Sequence, residues 1–97
     1  MVDVSKIPAQ RAGVRFEELD GEAVVYDRVG KRATYLNDTA VVIWKLCDGT
    51  RTISDIIGML AKEFPEAAAS VDSDVRTTID RLVTERTLLI SQQPKTA

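Results

Sequence analysis

Histidine is absent from the 97-residue sequence, and cysteine occurs once, as Cys47. Without an imidazole, histidine-based catalytic triads and most zinc sites are largely excluded. One cysteine cannot form a disulfide within the chain. Long apolar runs are missing too: none approaches the roughly 18 residues of a membrane-spanning helix, and the first residues lack the apolar segment of a signal peptide. We therefore expect a cytoplasmic protein.

An excess of either charge is also lacking, since the net charge is −2 and the isoelectric point is near 5.1. This balance gives no general attraction to nucleic acid or to an anionic membrane surface. Hydrophobic residues make up 44% of the chain, which is typical of a folded domain. We predict one domain over residues 14–90, with a flexible lead-in over 1–13 and a flexible tail over 91–97.

An alternating apolar pattern begins at residue 14 and predicts strands. Asp20-Gly21 is a hairpin signal, and a two-residue loop there places Phe16 opposite Val25. A second turn follows, in which we expect Gly30 to adopt a positive φ. The segment from Lys31 to Leu36 then forms the third strand of an antiparallel meander.

From residue 37 onward the apolar spacing changes to that of helices. The first predicted helix carries Ile43, Trp44 and Cys47 on one stripe, which faces the core. The second begins at Thr52, a good capping residue, and ends at Pro65, which cannot continue a helix.

The third predicted helix is capped by Ser70 or Asp72, and residues 87–90 follow it as a short strand or wing. Its apolar residues are spaced for one face, and they are Val75, Ile79, Leu82 and Val83. Strands followed by about three helices predict an α+β fold of the winged helix-turn-helix type.

No group of residues indicates catalysis. Cys47 lies on an apolar helical stripe, whereas a reactive thiolate needs an electropositive and partly exposed setting. Trp44 is interpreted as a core residue, with a ligand platform as the alternative. The sequence contains neither a glycine-rich phosphate loop nor a metal-ligand cluster. We expect no enzyme activity, no cofactor and no metal.

The far side of the third predicted strand is a sheet edge, and Lys31 and Arg32 lie on it. Charge commonly protects an edge from unwanted pairing. The functional alternative is an edge that accepts a strand from another chain. Arg76 and Arg81 of the third helix could face the same groove and suit an acidic, extended peptide. An open edge also permits strand exchange between two copies, which would give a homodimer.

The most specific stretch of the chain runs from Leu36 to Thr52. Its characteristic residues are Tyr35-Leu36-Asn37, Ala40, Ile43-Trp44, Leu46, Asp48-Gly49 and Thr52-Ile53. Together with the apolar spacing over residues 14–90, they resemble the PqqD family, named after pyrroloquinoline quinone biosynthesis protein D. Thr87 departs from the family pattern, which usually has glycine before the final leucines.

The resemblance implies a peptide chaperone, the stand-alone form of the RiPP recognition element. Such proteins bind the leader segment of a ribosomally made precursor peptide and present it to a modifying enzyme, in the namesake pathway a radical SAM enzyme. The leader is bound as an added strand, in a groove walled by the third helix. The site residues implied for this chain are Lys31, Arg32, Ala33, Thr34, Tyr35, Leu36, Val75, Arg76, Ile79, Asp80 and Val83.

The pathway and the wider function class stay open at this point. The product could be pyrroloquinoline quinone or another modified peptide, such as a lasso peptide or a mycofactocin-like product. A winged-helix DNA-binding protein is an alternative, but residues 71–86 mix three arginines with four carboxylates and give no basic face. A structural dimerisation module without a peptide client is the other alternative.

Overall fold

The structure is a computed structural model, and it describes residues 3–91. The elements are β1 (Ile7–Gln10), β2 (Val14–Leu19), β3 (Glu22–Asp27), β4 (Arg32–Leu36), α1 (Asp38–Leu46), α2 (Ile53–Glu63), a 3-10 turn (Pro65–Ala67), α3 (Ala68–Thr84) and β5 (Leu88–Ser91). Strands β2, β3 and β4 form an antiparallel sheet in that order, and β1 pairs with β5 separately. The meander followed by three helices confirms the predicted fold class.

The β2–β3 hairpin has the predicted two-residue loop. Asp20 and Gly21 both adopt positive φ, 55° and 82°, as a type I′ turn requires. Phe16 lies opposite Val25, which confirms the predicted register. Phe16 and Val25 therefore share the inner face of the sheet.

The β3–β4 turn differs from the prediction. Gly30 does not have a positive φ, whereas Lys31 does, at 54°. An added Cβ at position 30 would lie 2.8 Å from Asp27 Oδ2, so a side chain there would require the carboxylate to shift. The Asp27 carboxylate also accepts a hydrogen bond from the Val29 N–H, at 3.0 Å. The sequence pattern of the turn does not predict that the Asp27 carboxylate lies this close to the backbone.

Helix α1 covers the inner face of the sheet. Asn37 caps it by accepting a hydrogen bond from the first turn. Trp44 is 2% exposed, and its ring stacks on Phe16 with a centroid distance of 6.2 Å and an interplanar angle of 6°. Lys45 lies over the same Phe16 ring and pairs with Glu18 at 2.8 Å. Sheet and helix are thus joined by aromatic stacking with a charged pair at its rim.

The core is one cluster that α1, α2, α3 and the sheet share. Its apolar members with full or nearly full burial include Val25, Leu36, Ile43, Ile53, Ile56, Val75, Ile79, Leu82 and Leu88. Phe16 and Ile57, whose positions in the apolar pattern predict burial in the core, are only partly buried, against the outside of this cluster.

Helix α2 begins as predicted, with a capping box in which Thr52 and Asp55 bond each other's backbone N–H groups. The predicted start of α3 at Ser70 or Asp72 is wrong, because the helix begins at Ala68. Pro65 opens a 3-10 turn that runs directly into α3, and alanines form helix readily. The Ser70 hydroxyl consequently donates to a carbonyl of the preceding turn instead of capping the helix.

Strand β1 lies in the segment predicted to have no regular structure. It pairs with β5 and also contacts the loop after α1, where Gln10 N–H donates to Cys47 and Gly49 N–H donates to Pro8, both at 3.0 Å. Pro8 needs only to accept here, so its missing N–H does no harm. Residues 92–97 of the predicted tail lie outside the described residues, and the limits 14–90 stay a prediction.

Replacing Trp44 by alanine tests the stacking of α1 on the sheet. We expect Trp44→Ala to lower the free energy of unfolding by about 3–5 kcal/mol, because the indole is buried. Val29→Ala, at a side chain that is 83% exposed, is the matched control and should change little. The measurement is urea denaturation. A loss below about 1 kcal/mol in Trp44→Ala would contradict the observed burial.

Cys47 provides a second test of the core. Its side chain is fully buried, and this burial raises the pKa of the thiol to about 12, with a smaller contribution from Asp48. We therefore expect a thiol reagent at about pH 8 to label native protein far more slowly than protein in concentrated guanidinium. Equal rates in the two states would show that the loop over Cys47 opens freely.

Candidate functional site

Strand β4 is one of the two edge strands of the meander, and β2 is the other. In a two-residue hairpin the residues that close the turn, Leu19 and Glu22, exchange backbone hydrogen bonds. Pairing then alternates, so alternate residues of β3 point to β2 and to β4. It follows that the backbone groups of Thr34 point to β3, whereas those of Ala33 and Tyr35 point outward.

One hydrogen bond from α3 confirms this assignment. The Arg81 guanidinium donates to the Tyr35 carbonyl over 3.3 Å, so that carbonyl faces away from β3 and towards α3. Arg81 of α3 therefore reaches the outward side of β4, and we call the space between β4 and this flank of α3 the groove. Arg81 spans this groove, and its Nε lies 3.9 Å from Glu85 Oε2, an oxygen with no hydrogen-bond partner among the described residues.

The α3 residues that face β4 follow from this contact. Each helical residue turns by about 100°, so Asp74 and Thr78 lie on the same flank as Arg81. The core stripe of α3, which includes Val75 and Ile79, separates this flank from the opposite one. The groove is therefore walled by a polar helix flank on one side and a strand edge on the other.

The structure brings only part of the implied site together. Residues 32–36 form the edge strand, and Lys31 lies in the turn before it. Val75 and Ile79 are fully buried in the core and offer no surface to a ligand. Arg76, Asp80 and Val83 lie on the flank of α3 that turns away from β4, and Arg76 pairs with Asp72 at 2.5 Å.

Asp74, Thr78 and Glu85 were missed by the sequence analysis. The apolar stripe of α3 was readable from its period, but the sequence does not reveal on which side of that stripe the sheet edge lies. Arg81 was considered for the groove together with Arg76. Since five residues turn a helix by about 140° beyond one full circle, only one of the two arginines can face β4.

An apolar cavity opens where β4 passes into α1. It has a volume of about 320 Å³, and partly exposed Val42 and Phe64 contribute to its wall. The further lining residues are Asp38, Thr39, Ile43, Leu60, Glu66, Ala67, Val71, Asp74 and Val75. Three carboxylates thus border an otherwise apolar surface at this end of the groove.

A second cavity, of about 240 Å³, lies at the opposite end, next to the first residue of β4. Arg11, Arg32 and Arg86 line it together with Asp27, Val29 and Gly30. Asp27 is only 4% exposed. The Gly30 N–H is the main cause that lowers the pKa of its carboxyl group, and the Val29 N–H and the two nearer arginines act in the same direction against the effect of burial.

The outer face of the sheet beside the edge is partly aromatic. Tyr35 is 55% exposed, and Val24, its cross-strand partner, and Tyr26 are also exposed. The Tyr35 hydroxyl hydrogen-bonds the Glu22 carboxylate, an interaction that raises the pKa of the tyrosine. Tyr35 is therefore held over the strand pair, with its backbone open to the groove.

Within residues 3–91, no three side chains of histidine, cysteine, aspartate or glutamate come close enough to hold a metal ion. No helix in this part of the chain is long and apolar enough to cross a membrane.

Comparison with known proteins identifies similar sequences and one similar fold. The sequence model of the family described as Coenzyme PQQ synthesis protein D (PqqD) matches residues 22–88. A Xanthomonas axonopodis pv. citri (strain 306) protein called PqqA binding protein is 36% identical over 81 residues, 84% of this chain and 88% of the relative. A Klebsiella pneumoniae (strain 342) protein of the same name is 52% identical over 40 residues, 41% of this chain and 42% of the relative.

Among solved structures, a chain described as TbiB1 in complex with the TbiA(beta) leader peptide superposes with a TM-score of 0.71. The match covers 82% of this chain and 93% of the other, at 19% sequence identity. At this identity the similarity concerns the fold alone.

The buried carboxylate at the basic end of the groove predicts a pH dependence. Because the folded-state pKa of Asp27 is lowered, its contribution to stability is present above the unfolded value of about 3.9 and is lost as the pH falls through the folded value. We expect Asp27→Asn to be less stable than the parent near neutral pH and the difference to shrink in acid. Urea denaturation from neutral to acidic pH measures the free energy of unfolding of both proteins. A difference between them that does not change with pH would contradict the lowered pKa of Asp27.

Proposed function

The chain belongs to the PqqD family, and from this premise we propose that it is a peptide chaperone without catalytic activity of its own. In this proposal it binds the leader segment of a ribosomally made precursor peptide and presents it to a modifying enzyme. The observation that carries the proposal is the open β4 edge beside α3. The names of the relatives support a PqqA-type precursor as the client.

Strand addition is the binding mode that this edge favours. The outward N–H and C=O groups of Ala33 and Tyr35 can form a short ladder with an extended peptide. Main-chain hydrogen bonds supply affinity for a peptide of almost any sequence. Selectivity therefore has to come from side chains at the walls and ends of the groove. The fold shared with TbiB1, a protein solved in complex with a leader peptide, supports a peptide-binding role.

Arg81 has to move when a peptide strand reaches Tyr35. In the free protein its guanidinium donates a hydrogen bond to the Tyr35 carbonyl, and an N–H of the incoming peptide would need the same acceptor. Glu85 lies close enough to receive it after a small rotation, and a carboxylate partner would compensate the lost bond. Arg81 therefore protects the edge in the free protein without blocking it permanently.

Presentation requires that most of the chaperone surface stays free for the enzyme. A peptide at the β4 edge leaves the outer sheet face, α2 and β5 uncovered. We propose a radical SAM enzyme as the partner, as in the pathway that gives the family its name, and a cytoplasmic setting. Strand exchange between two copies would use the same edge, so a homodimer of that type would compete with the client.

Proline scanning of β4 tests strand addition. Ala33→Pro removes an outward amide and obstructs an approaching strand, so the protein should stay folded but bind labelled PqqA peptide at least about tenfold more weakly. Thr34→Pro removes a bond to β3 and should destabilise the fold itself. Fluorescence anisotropy measures binding, and circular dichroism measures folding.

Ala33→Ser is the matched control, because it keeps the amide and should bind like the parent. If folded Ala33→Pro binds the peptide as tightly as Ala33→Ser does, strand addition at this edge is wrong. If the unchanged protein binds no PqqA peptide, the client assignment fails.

A further inference from the structure

The cavity at the start of β4 has the charge of an anion site. We propose that Arg11, Arg32 and Arg86 form a subsite for acidic side chains of the client peptide, just beyond the segment that adds to β4. The inference rests on the proposed function, because it concerns the same peptide. It adds a recognition element that strand addition does not need.

Positive charge at this end of the groove is not neutralised within the described chain. Three arginines and one carboxylate residue, Asp27, are among the residues that line the cavity. That carboxylate already accepts from the backbone of the turn and lies 3.5 Å from Arg11. Among residues 3–91, neither Arg32 nor Arg86 has a carboxylate within 4.0 Å, and the same holds for Lys31 in the adjacent turn.

Backbone conformation supplies an independent observation. Lys31 and Arg86 have φ of 54° and 64°, which lie in the left-handed region. Residues other than glycine, asparagine and aspartate seldom adopt this conformation. Arg86 occupies the position after the end of α3 where glycine is usual. Two long cationic residues are thus held in strained positions beside one cavity, and such strain concentrates at binding sites.

The walls of the cavity are fixed to one another. Arg11 donates through Nη1 to the Arg86 carbonyl at 3.0 Å, and its backbone N–H donates to the Thr87 carbonyl at 3.0 Å. Its guanidinium also approaches Asp27 of β3. The connector before β2, the end of β3 and the turn after α3 therefore form one preformed basic pocket, which lowers the entropy cost of binding an anion.

The location selects side chains of a strand-adding peptide as the occupant. Arg32 and Tyr35 are about 10 Å apart along an extended strand. A peptide paired with Ala33 and Tyr35 would therefore reach the basic pocket within one or two further residues. At the other end of the groove, Asp38, Glu66 and Asp74 would repel carboxylates. Acidic client residues are thus accepted at one end only, so the subsite also orients the peptide.

Two peptides and two variants test the subsite. The peptides are PqqA and a copy in which every Asp and Glu is replaced by Asn or Gln. We expect Arg86→Gly and Arg32→Gln each to weaken binding of PqqA about tenfold, as expected for loss of a charge-assisted hydrogen bond. Binding of the amide copy should hardly change. Lys62→Gln, which removes an exposed charge on α2, is the control and should bind both peptides like the parent.

Arg86→Gly gives a readout that a purely structural arginine would not give. Glycine relieves the left-handed strain, so we expect a higher temperature of unfolding together with weaker binding. If instead this variant unfolds at a lower temperature, the binding of the two peptides to Arg32→Gln alone decides whether the subsite exists.

The outcomes separate the subsite from the proposed function. Binding of PqqA that is unchanged in both arginine variants, or weakened equally by Lys62→Gln, would overturn the subsite. If the amide copy bound the parent protein but not the Ala33→Pro variant, strand addition would be supported without the subsite. If neither peptide bound the parent, the proposed function and the subsite would fail together.

Discussion

The register of the β2–β3 hairpin is the constraint on which the other features depend. With residues Asp20 and Gly21 alone in the loop, the pairing of β2 with β3 is determined, and with it which backbone groups of β3 point to β4. A slip by one residue would turn the inner face outward and separate Phe16 from Trp44. The same slip would exchange the inward and outward backbone groups of β4. Core packing and the open edge are therefore two results of one turn.

Much of this architecture was predictable because it follows local rules. The hairpin signal at Asp20-Gly21, the capping residue Thr52 and the apolar stripes each depend on neighbours only a few positions away. Strand β1 was not predictable in the same way, because its partners Cys47, Gly49 and β5 are distant in sequence. The start of α3 was missed because a 3-10 turn after Pro65 supplied what a capping side chain would otherwise provide.

The candidate site also has one part that the sequence predicts and one part that depends on the folded chain. The edge strand over residues 32–36 could be predicted, since the last strand of a meander always has a free side. The helix flank that faces it could not, because that depends on how α3 packs across the core. Arg11 comes from the connector between β1 and β2, and Arg86 from the turn after α3. No sequence pattern joins these two positions to Arg32, since only the folded chain brings them together.

The pairing of β1 with β5 has a mechanical consequence. Ile7 lies opposite Ser91 at one end of this strand pair, and the residue before Ile7 is bonded to α2, because the Ile53 N–H donates to the Lys6 carbonyl. A force that pulls Ile7 and Ser91 apart acts along the hydrogen bonds, which run perpendicular to antiparallel strands. Such a load breaks the bonds one pair at a time, as in a zipper, and not all together. Under tension this small sheet would therefore open first, while the meander that carries the groove is still unloaded.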